Sequence, residues 1–341
     1  MFGRPSNPKP IKVRVFAKTD LGKTRDHNED SFLVADLTRG DASLQPTVRE
    51  HELGPRGTLL VVADGMGGAA AGEVASEMAT KTIYEQLKKS WSSETELTAQ
   101  RFAARLKEAV ETANGHIHAY AKAHPEVRGM GTTTTAVGAL GDHLYLTQVG
   151  DSRAYLVRDG VAVQLTKDQS LMQRLVEAGE LTEEEAAQSE RRNIILQALG
   201  PDPKVKVDLT HQDLRRGDVL VLCSDGLSGL VKKEEIAAIA GKEQDLAVAC
   251  DKLIALANDR GGPDNITVVI ARFEGEGLPA DTPEQAGHQT YPLIDTETST
   301  EPVPVYKGSK APVPARKTRA RWLILLLAGA GVVALYLALA R

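Results

Sequence analysis

The stretch Thr58-Leu-Leu-Val-Val-Ala-Asp-Gly-Met-Gly-Gly68 decides how this chain is read. Thr58 to Ala63 form an apolar, β-rich run that stops at Asp64, and glycines follow at 65, 67 and 68. An apolar strand ending in a carboxylate places that carboxylate at the rim of a sheet, where others can converge on it from neighbouring strands. Three more aspartates share the pattern. Asp225 follows VLVLCS and precedes Gly226, Asp151 follows YLTQVG, and Asp264 sits in GGPDN just before ITVVI. Convergent carboxylates repel unless a cation neutralises them, and hard oxygen ligands choose Mg²⁺ or Mn²⁺. Gly65 lets the backbone come close, so its carbonyl is a further candidate ligand. Asp-Gly after a strand is also an ordinary turn, and spacing alone leaves both readings open.

Outward from this stretch, further β-rich runs lie at 12–17, 132–140, 143–150, 153–158, 218–224 and 265–273. Gly141-Asp142 and Asp159-Gly160 have hairpin-like turn chemistry. Helical periodicity fills 71–89, 101–123, 169–178 and 245–258. In the second of these, Phe102, Leu106, Ala109, Val110, Ala113 and Ile117 make one apolar stripe. Long helices inserted as blocks between antiparallel strands predict an α+β fold, a central antiparallel β-sandwich flanked by helices on both faces.

Composition removes several classes. The 341 residues carry 41 Lys+Arg against 46 Asp+Glu, a net charge of −5, which is the wrong sign for a dedicated nucleic-acid binder. Cys223 and Cys250 are too few for a disulfide scaffold, and Cys223 lies inside an apolar strand where it reads as core. The start MFGRPSNPKP has no apolar region, so no secretory signal is expected. The glycine-rich DGMGGAAAGE lacks the spacing of either nucleotide loop, and no G-x-S-x-G elbow is present. His116 and His118 stand about 200° apart on a helix and cannot share a ligand face; the other histidines are scattered and read mostly as surface residues.

Six motifs in order then carry a family resemblance: RDHNED at 25–30, VVADGMGG at 61–68, GMGTT at 129–133, VGDSRAY at 149–155, LCSDGL at 222–227 and GGPDNIT at 261–267. Across residues 10 to 273 the chain resembles the bacterial metal-dependent protein serine/threonine phosphatases of the protein phosphatase 2C type. The resemblance implies two Mn²⁺ or Mg²⁺ ions bridged by a hydroxide that attacks phosphoserine or phosphothreonine in proteins. It implies Asp64 as the bridging ligand, Asp225 and Asp264 on the first metal, and Glu29 with the Gly65 carbonyl on the second. Asp30 is implied to hydrogen-bond a metal-bound water, Asp151 to help bind a third ion with Asp225, and Arg25 to grip the substrate phosphate. Asn265 is expected to orient a ligand or water, or to cap the turn. Met66 stands where many eukaryotic members have a histidine, which leaves the general acid unassigned. Residues 169–199 match the family's variable flap. A pseudoenzyme that binds phosphoproteins without turnover is the alternative, and the full ligand set argues against it.

The C-terminal part differs in composition. Residues 275–321 hold seven of the sixteen prolines and little that is apolar, as expected of a disordered tether that is basic at its end. Residues 322–340, WLILLLAGAGVVALYLALA, are uncharged and span roughly 28 Å as a helix, enough to cross a bilayer. Arg316, Lys317, Arg319 and Arg321 precede the span, so the positive-inside rule places residues 1–274 in the cytoplasm. The expectation is a monomeric phosphatase body, 1–274, anchored in the inner or plasma membrane and opposing a serine/threonine kinase.

Overall fold

The computed structural model describes residues 9–47, 49–282 and 285–294. In chain order the described residues form β1 (Lys12–Asp20), β2 (Asp30–Asp36), β3 (Asp41–Ser43), β4 (Arg49–Glu52), β5 (Thr58–Met66), α1 (Ala69–Ser92) and α2 (Ala99–Ala123). Then come β6 (Gly131–Thr132), β7 (Thr134–Leu140), β8 (His143–Val149), β9 (Arg153–Arg158), β10 (Val161–Gln164), α3 (Leu171–Glu177) and α4 (Glu183–Gln188). The last are β11 (Asp208–Asp213), β12 (Val219–Cys223), α5 (Asp225–Ser228), α6 (Lys233–Ala240), α7 (Leu246–Asp259) and β13 (Ile266–Glu274).

Two antiparallel sheets face each other. One has the order β10-β9-β12-β13-β1-β4; the other runs β11-β8-β7-β5-β2-β3, with β6 attached to β5. The period-2 alternation of side chains explains why the strands read as continuous apolar runs. In β5, Leu60 and Val62 enter the core between the sheets, while Leu59, Val61 and Ala63 pack under α1 and α2. In β13, Val269, Ala271 and Phe273 face the same central core, and Ile266, Val268 and Ile270 pack against α6 and α7. The result is four layers, helix–sheet–sheet–helix, as the sequence pattern predicts. The stripe from Phe102 to Ile117 is the buried face of α2, and Thr98 caps that helix by accepting from Arg101 N. Both turns are hairpins: Leu140 pairs with His143 across Gly141-Asp142, and Arg158 with Val161 across Asp159-Gly160. Asp159 and Gly160 both have positive φ, as a type I′ turn requires.

The body does not end at residue 274. Leu278 is 2% exposed and belongs to the core between the sheets, and Arg216 N donates to Pro279 O. Residues 285–294 then lie along β11, an edge strand: His211 N donates to Gln289 O and Tyr291 N to Leu209 O, both 2.9 Å. The Tyr291 ring meets Tyr145 and His211 edge-on at 5.2 and 5.3 Å. Averaged over 275–321, composition hides these anchors; the unpaired groups of β11 are what draw the segment in. The compact unit accordingly runs to Ile294. Among the described residues no helix is long and apolar enough to cross a membrane; 322–340 and most of the expected tether lie outside them.

Truncation after Glu274 therefore removes Leu278 from the core and uncovers β11. Fully burying Leu278 is worth about 2 kcal/mol, and the partly buried Tyr291 and Leu293 add roughly 1 kcal/mol more. Relative to a chain ending at Ile294, the shorter form is expected to melt roughly 5–10 °C lower by calorimetry; equal melting temperatures would show that the strap contributes nothing.

Candidate active site

The acidic residues collect at one end of the sandwich. Asp64 lies near the end of β5 and pairs in register with Asp30, the first residue of β2. Asp225 opens the one-turn helix α5 directly after β12, Asp264 precedes β13, and Asp151 lies between β8 and β9. Glu29 precedes β2, and its backbone carbonyl accepts from Gly65 N at 3.0 Å. A Cβ on Gly65 would sit 2.2 Å from Gly72 O and 2.5 Å from Glu29 O, so only glycine lets α1 and β2 close on this point.

These groups are close enough to disturb one another. Burial, followed by repulsion from Asp30, Asp225, Asp151 and Asp264, holds the Asp64 carboxyl well above the usual carboxylate range. Burial raises Asp30 and Asp151 to about 7 and also raises Asp225 and Glu29. At Asp225, burial is reinforced by repulsion from Asp264 and partly offset by Asp64, Arg153 and Arg25. Arg25, half exposed, donates to Asp264 Oδ2 at 2.9 Å, and that bond raises its own pKa. The structure thus brings together Arg25, Glu29, Asp30, Asp64, Gly65, Asp151, Asp225, Asp264 and Asn265.

Among the described residues no three His, Cys, Asp or Glu side chains already stand as a ready-made cation site. The donor set nevertheless fits Mn²⁺ or Mg²⁺, being all oxygen, anionic and short of positive charge.

The supporting residues were not legible as such in the sequence. Thr132 Oγ1 and Thr133 N both donate to Asp64 O at 2.8 Å, and Asp64 N donates to Thr133 Oγ1 at 3.1 Å. Asp30 Oδ2 accepts from Ser224 Oγ and Thr267 Oγ1, each at 2.7 Å. Arg153, two residues past Asp151, forks onto Asp168 at 2.6–3.0 Å, and Gln169 exchanges hydrogen bonds with Gly150. These tie the start of the flap to the Asp151 loop. The other flap base is pinned where Leu199 exchanges hydrogen bonds with Thr132. Runs such as TTTT carry no sign of which hydroxyl reaches where.

The other polar candidates fall away. His118 Nδ1 lies 2.9 Å from Gly200 O, and His116 is exposed. His51 is buried against Thr58 Oγ1 at 2.6 Å, contrary to the surface placement expected for the scattered histidines. Cys223 and Cys250 are buried free thiols, and burial pushes Cys223 up to about 12, far from a nucleophile's range.

Buried, unneutralised carboxylates beside a guanidinium define a site for divalent cations and an anionic ligand. Comparison with known proteins narrows the class. A family profile described as Protein phosphatase 2C matches residues 36–255. The chain is 38% identical over 254 residues to the serine/threonine phosphatase stp of Listeria innocua, covering 74% of this chain and 93% of that protein. It is 39% identical over 261 residues to the serine/threonine protein phosphatase PstP of Mycobacterium tuberculosis, covering 76% of this chain and 45% of that protein. The crystal structure of PstP/Ppp from M. tuberculosis superposes with a TM-score of 0.64 at 38% identity, covering 77% of this chain and 99% of that one. The PstP catalytic domain in complex with two manganese ions gives 0.62 at the same identity and coverage. This chain belongs to the protein phosphatase 2C family and is a metal-dependent protein serine/threonine phosphatase.

The carboxyl cluster sets a pH test. Asp30 and Asp151 titrate at about 7 in the metal-free fold against an ordinary value of 3.8, so between these values the folded state binds more protons than the unfolded one. Stability is then lost as pH rises from about 4 through about 7. Without metal, the wild type should fall in melting temperature between pH 5 and 8 more steeply than Asp151→Asn, and Mn²⁺ should raise it more at pH 8 than at pH 5. Parallel wild-type and mutant profiles in scanning fluorimetry would contradict this.

Proposed function

We propose that the acidic rim holds two Mn²⁺ or Mg²⁺ ions, with Asp64 between them, Asp225 and Asp264 on one and Glu29 with the Gly65 carbonyl on the other. Asp151 with Asp225 provides for a third. The observation that carries this is the gathering of Asp30, Asp151, Asp225 and Asp264 around Asp64, whose carboxyl is held well above the ordinary range by burial and their repulsion, with Arg25 as the neighbouring cation. Bound there, the ions would supply a hydroxide nucleophile near neutral pH and would neutralise charge on the phosphoryl group.

The remaining chemistry belongs to the chain. Arg25 turns its fork from Asp264 to two phosphate oxygens, a geometry that lysine cannot reproduce. Asp30, fixed by Ser224 and Thr267, orients water at the rim. Thr132 and Thr133 hold the Asp64 backbone, so its carboxyl is placed before substrate arrives. Among the candidate residues no Ser, Cys or His stands as a nucleophile, in keeping with direct hydrolysis and no phosphoenzyme.

The substrates are phosphoserine and phosphothreonine in proteins, with a serine/threonine kinase as the opposing enzyme. Residues 322–340 anchor the chain in the membrane, and the basic residues before them hold the catalytic body on the cytoplasmic side. The sequence pattern of that span supports this part of the reading, and fractionation of cells with and without residues 322–341 tests it.

Asp64→Asn and Asp225→Asn test the site. Loss of groups that merely support ligands costs about 10–100-fold, so loss of a ligand should cost at least about a hundredfold in Mn²⁺-dependent p-nitrophenyl phosphate hydrolysis. The fold should survive, as seen by circular dichroism. Near-native turnover by either variant would refute the ligand assignment.

A further inference from the structure

The loop from Leu21 to Glu29 carries Arg25 and is exposed from Lys23 to His27, yet it is held from beneath by one side chain. Asn265 is 3% exposed and uses its whole amide. Its Oδ1 accepts from Glu29 N at 2.8 Å, and its Nδ2 donates to Leu21 O and His27 O, each at 3.0 Å. One N–H and two carbonyls around the amide leave a single orientation that satisfies all three. The bonds reach both feet of the loop at one point.

The rest of the loop lies on the same short segment, residues 262–265. Lys23 N donates to Gly262 O and Thr24 Oγ1 to Pro263 O, both at 2.7 Å. Gly22 has φ +78°, and a Cβ there would come within 2.2 Å of Asp264 O. Arg25 pairs with Asp264 itself. The place of the guanidinium is therefore set by this segment, and Asn265 is the side chain that joins it to both feet of the loop.

We propose that Asn265 is a positioning residue: it keeps Arg25 and Glu29 in one register, so that the phosphate grip and the carboxylate rim stay aligned. This rests on the reading of Arg25 as the group that binds phosphate. Asn265 touches neither phosphate nor metal in this role and acts through the loop. Asn265→Ala removes all three bonds. Asn265→Asp keeps the acceptor for Glu29 N but sets an anion against Leu21 O and His27 O.

The full chain in detergent serves for the test, with two measurements. The first is tryptic cleavage after Lys23, followed by mass spectrometry below the melting temperature. The second is the inhibition constant of inorganic phosphate in Mn²⁺-dependent p-nitrophenyl phosphate hydrolysis. Asn265→Ala should speed cleavage after Lys23 and raise the inhibition constant, each by about tenfold, the low end for residues that support a site. In an Arg25→Ala background the effect on phosphate should vanish, because the grip is already gone, while the effect on cleavage should persist. Unchanged cleavage in both Asn265→Ala and Asn265→Asp overturns the proposal. So does an effect on phosphate that is equal in the two backgrounds. If Arg25→Ala alone leaves phosphate inhibition unchanged, the phosphate role of Arg25 fails, and the cleavage rates still decide whether Asn265 clamps the loop.

Discussion

Carboxylates held close together in a poorly hydrated place repel one another, and the rest of this structure is arranged around that repulsion. Asp64 feels Asp30, Asp225, Asp151 and Asp264 at once, and burial makes each interaction stronger than it would be in water. No local turn could hold such a cluster. It persists because its members are fixed to different strand ends, on both sheets, and each strand is buried on both faces. The cost of gathering like charge falls on the site, and the stability that offsets it comes from cores far from the site.

Those cores are separable. Leu60, Val62, Val269 and Phe273 bind the two sheets together, while Leu59, Phe102 and Leu106 attach one helical layer and Val268, Leu253 and Ile254 the other. The helices contribute little chemistry. Their work is to cover both outer sheet faces, which lets β5, β12 and β13 be buried on both faces and largely apolar next to the carboxylates. The first turns of α1 come near the site, and there Gly72 leaves room for the Glu29 carboxylate: a Cβ on Gly72 would sit 2.6 Å from Glu29 Oε2.

How much of this was legible in sequence follows from range. Most strands with continuous apolar runs and the helices with a clear stripe were visible, since burial on two faces or one imposes its own period; β2, buried along its whole length, was missed. The polar or short strands were not. DLTHQD at 208–213 has no apolar run to mark it, and it forms β11 with β8 and the segment 285–294 as partners on its two sides. The same long-range pairing made the end of the body invisible, because Tyr291 matters through Tyr145, distant in the chain. At the site, Asp64, Asp151, Asp225 and Asp264 announced themselves by standing at the edges of apolar runs, whereas Glu29 and Asp30 were indicated only by the family resemblance. The hydroxyls of Thr132, Thr133, Ser224 and Thr267 did not, because a hydroxyl's role depends on which strand end lies beside it.

Exposed segments at the rim share one further property. The flap begins on Gln169, which is bonded to Gly150 beside Asp151, and ends on Leu199, which is bonded to Thr132 beside the Asp64 backbone. The Arg25 loop is bonded to Asn265, beside Asp264. Each of these exposed segments is thus attached beside a carboxylate of the rim, either in the chain or through a hydrogen bond to its backbone. A displacement of either segment has to be absorbed by backbone hydrogen bonds that also locate those carboxylates. The same backbone that carries these exposed segments therefore also carries the groups that locate the carboxylates.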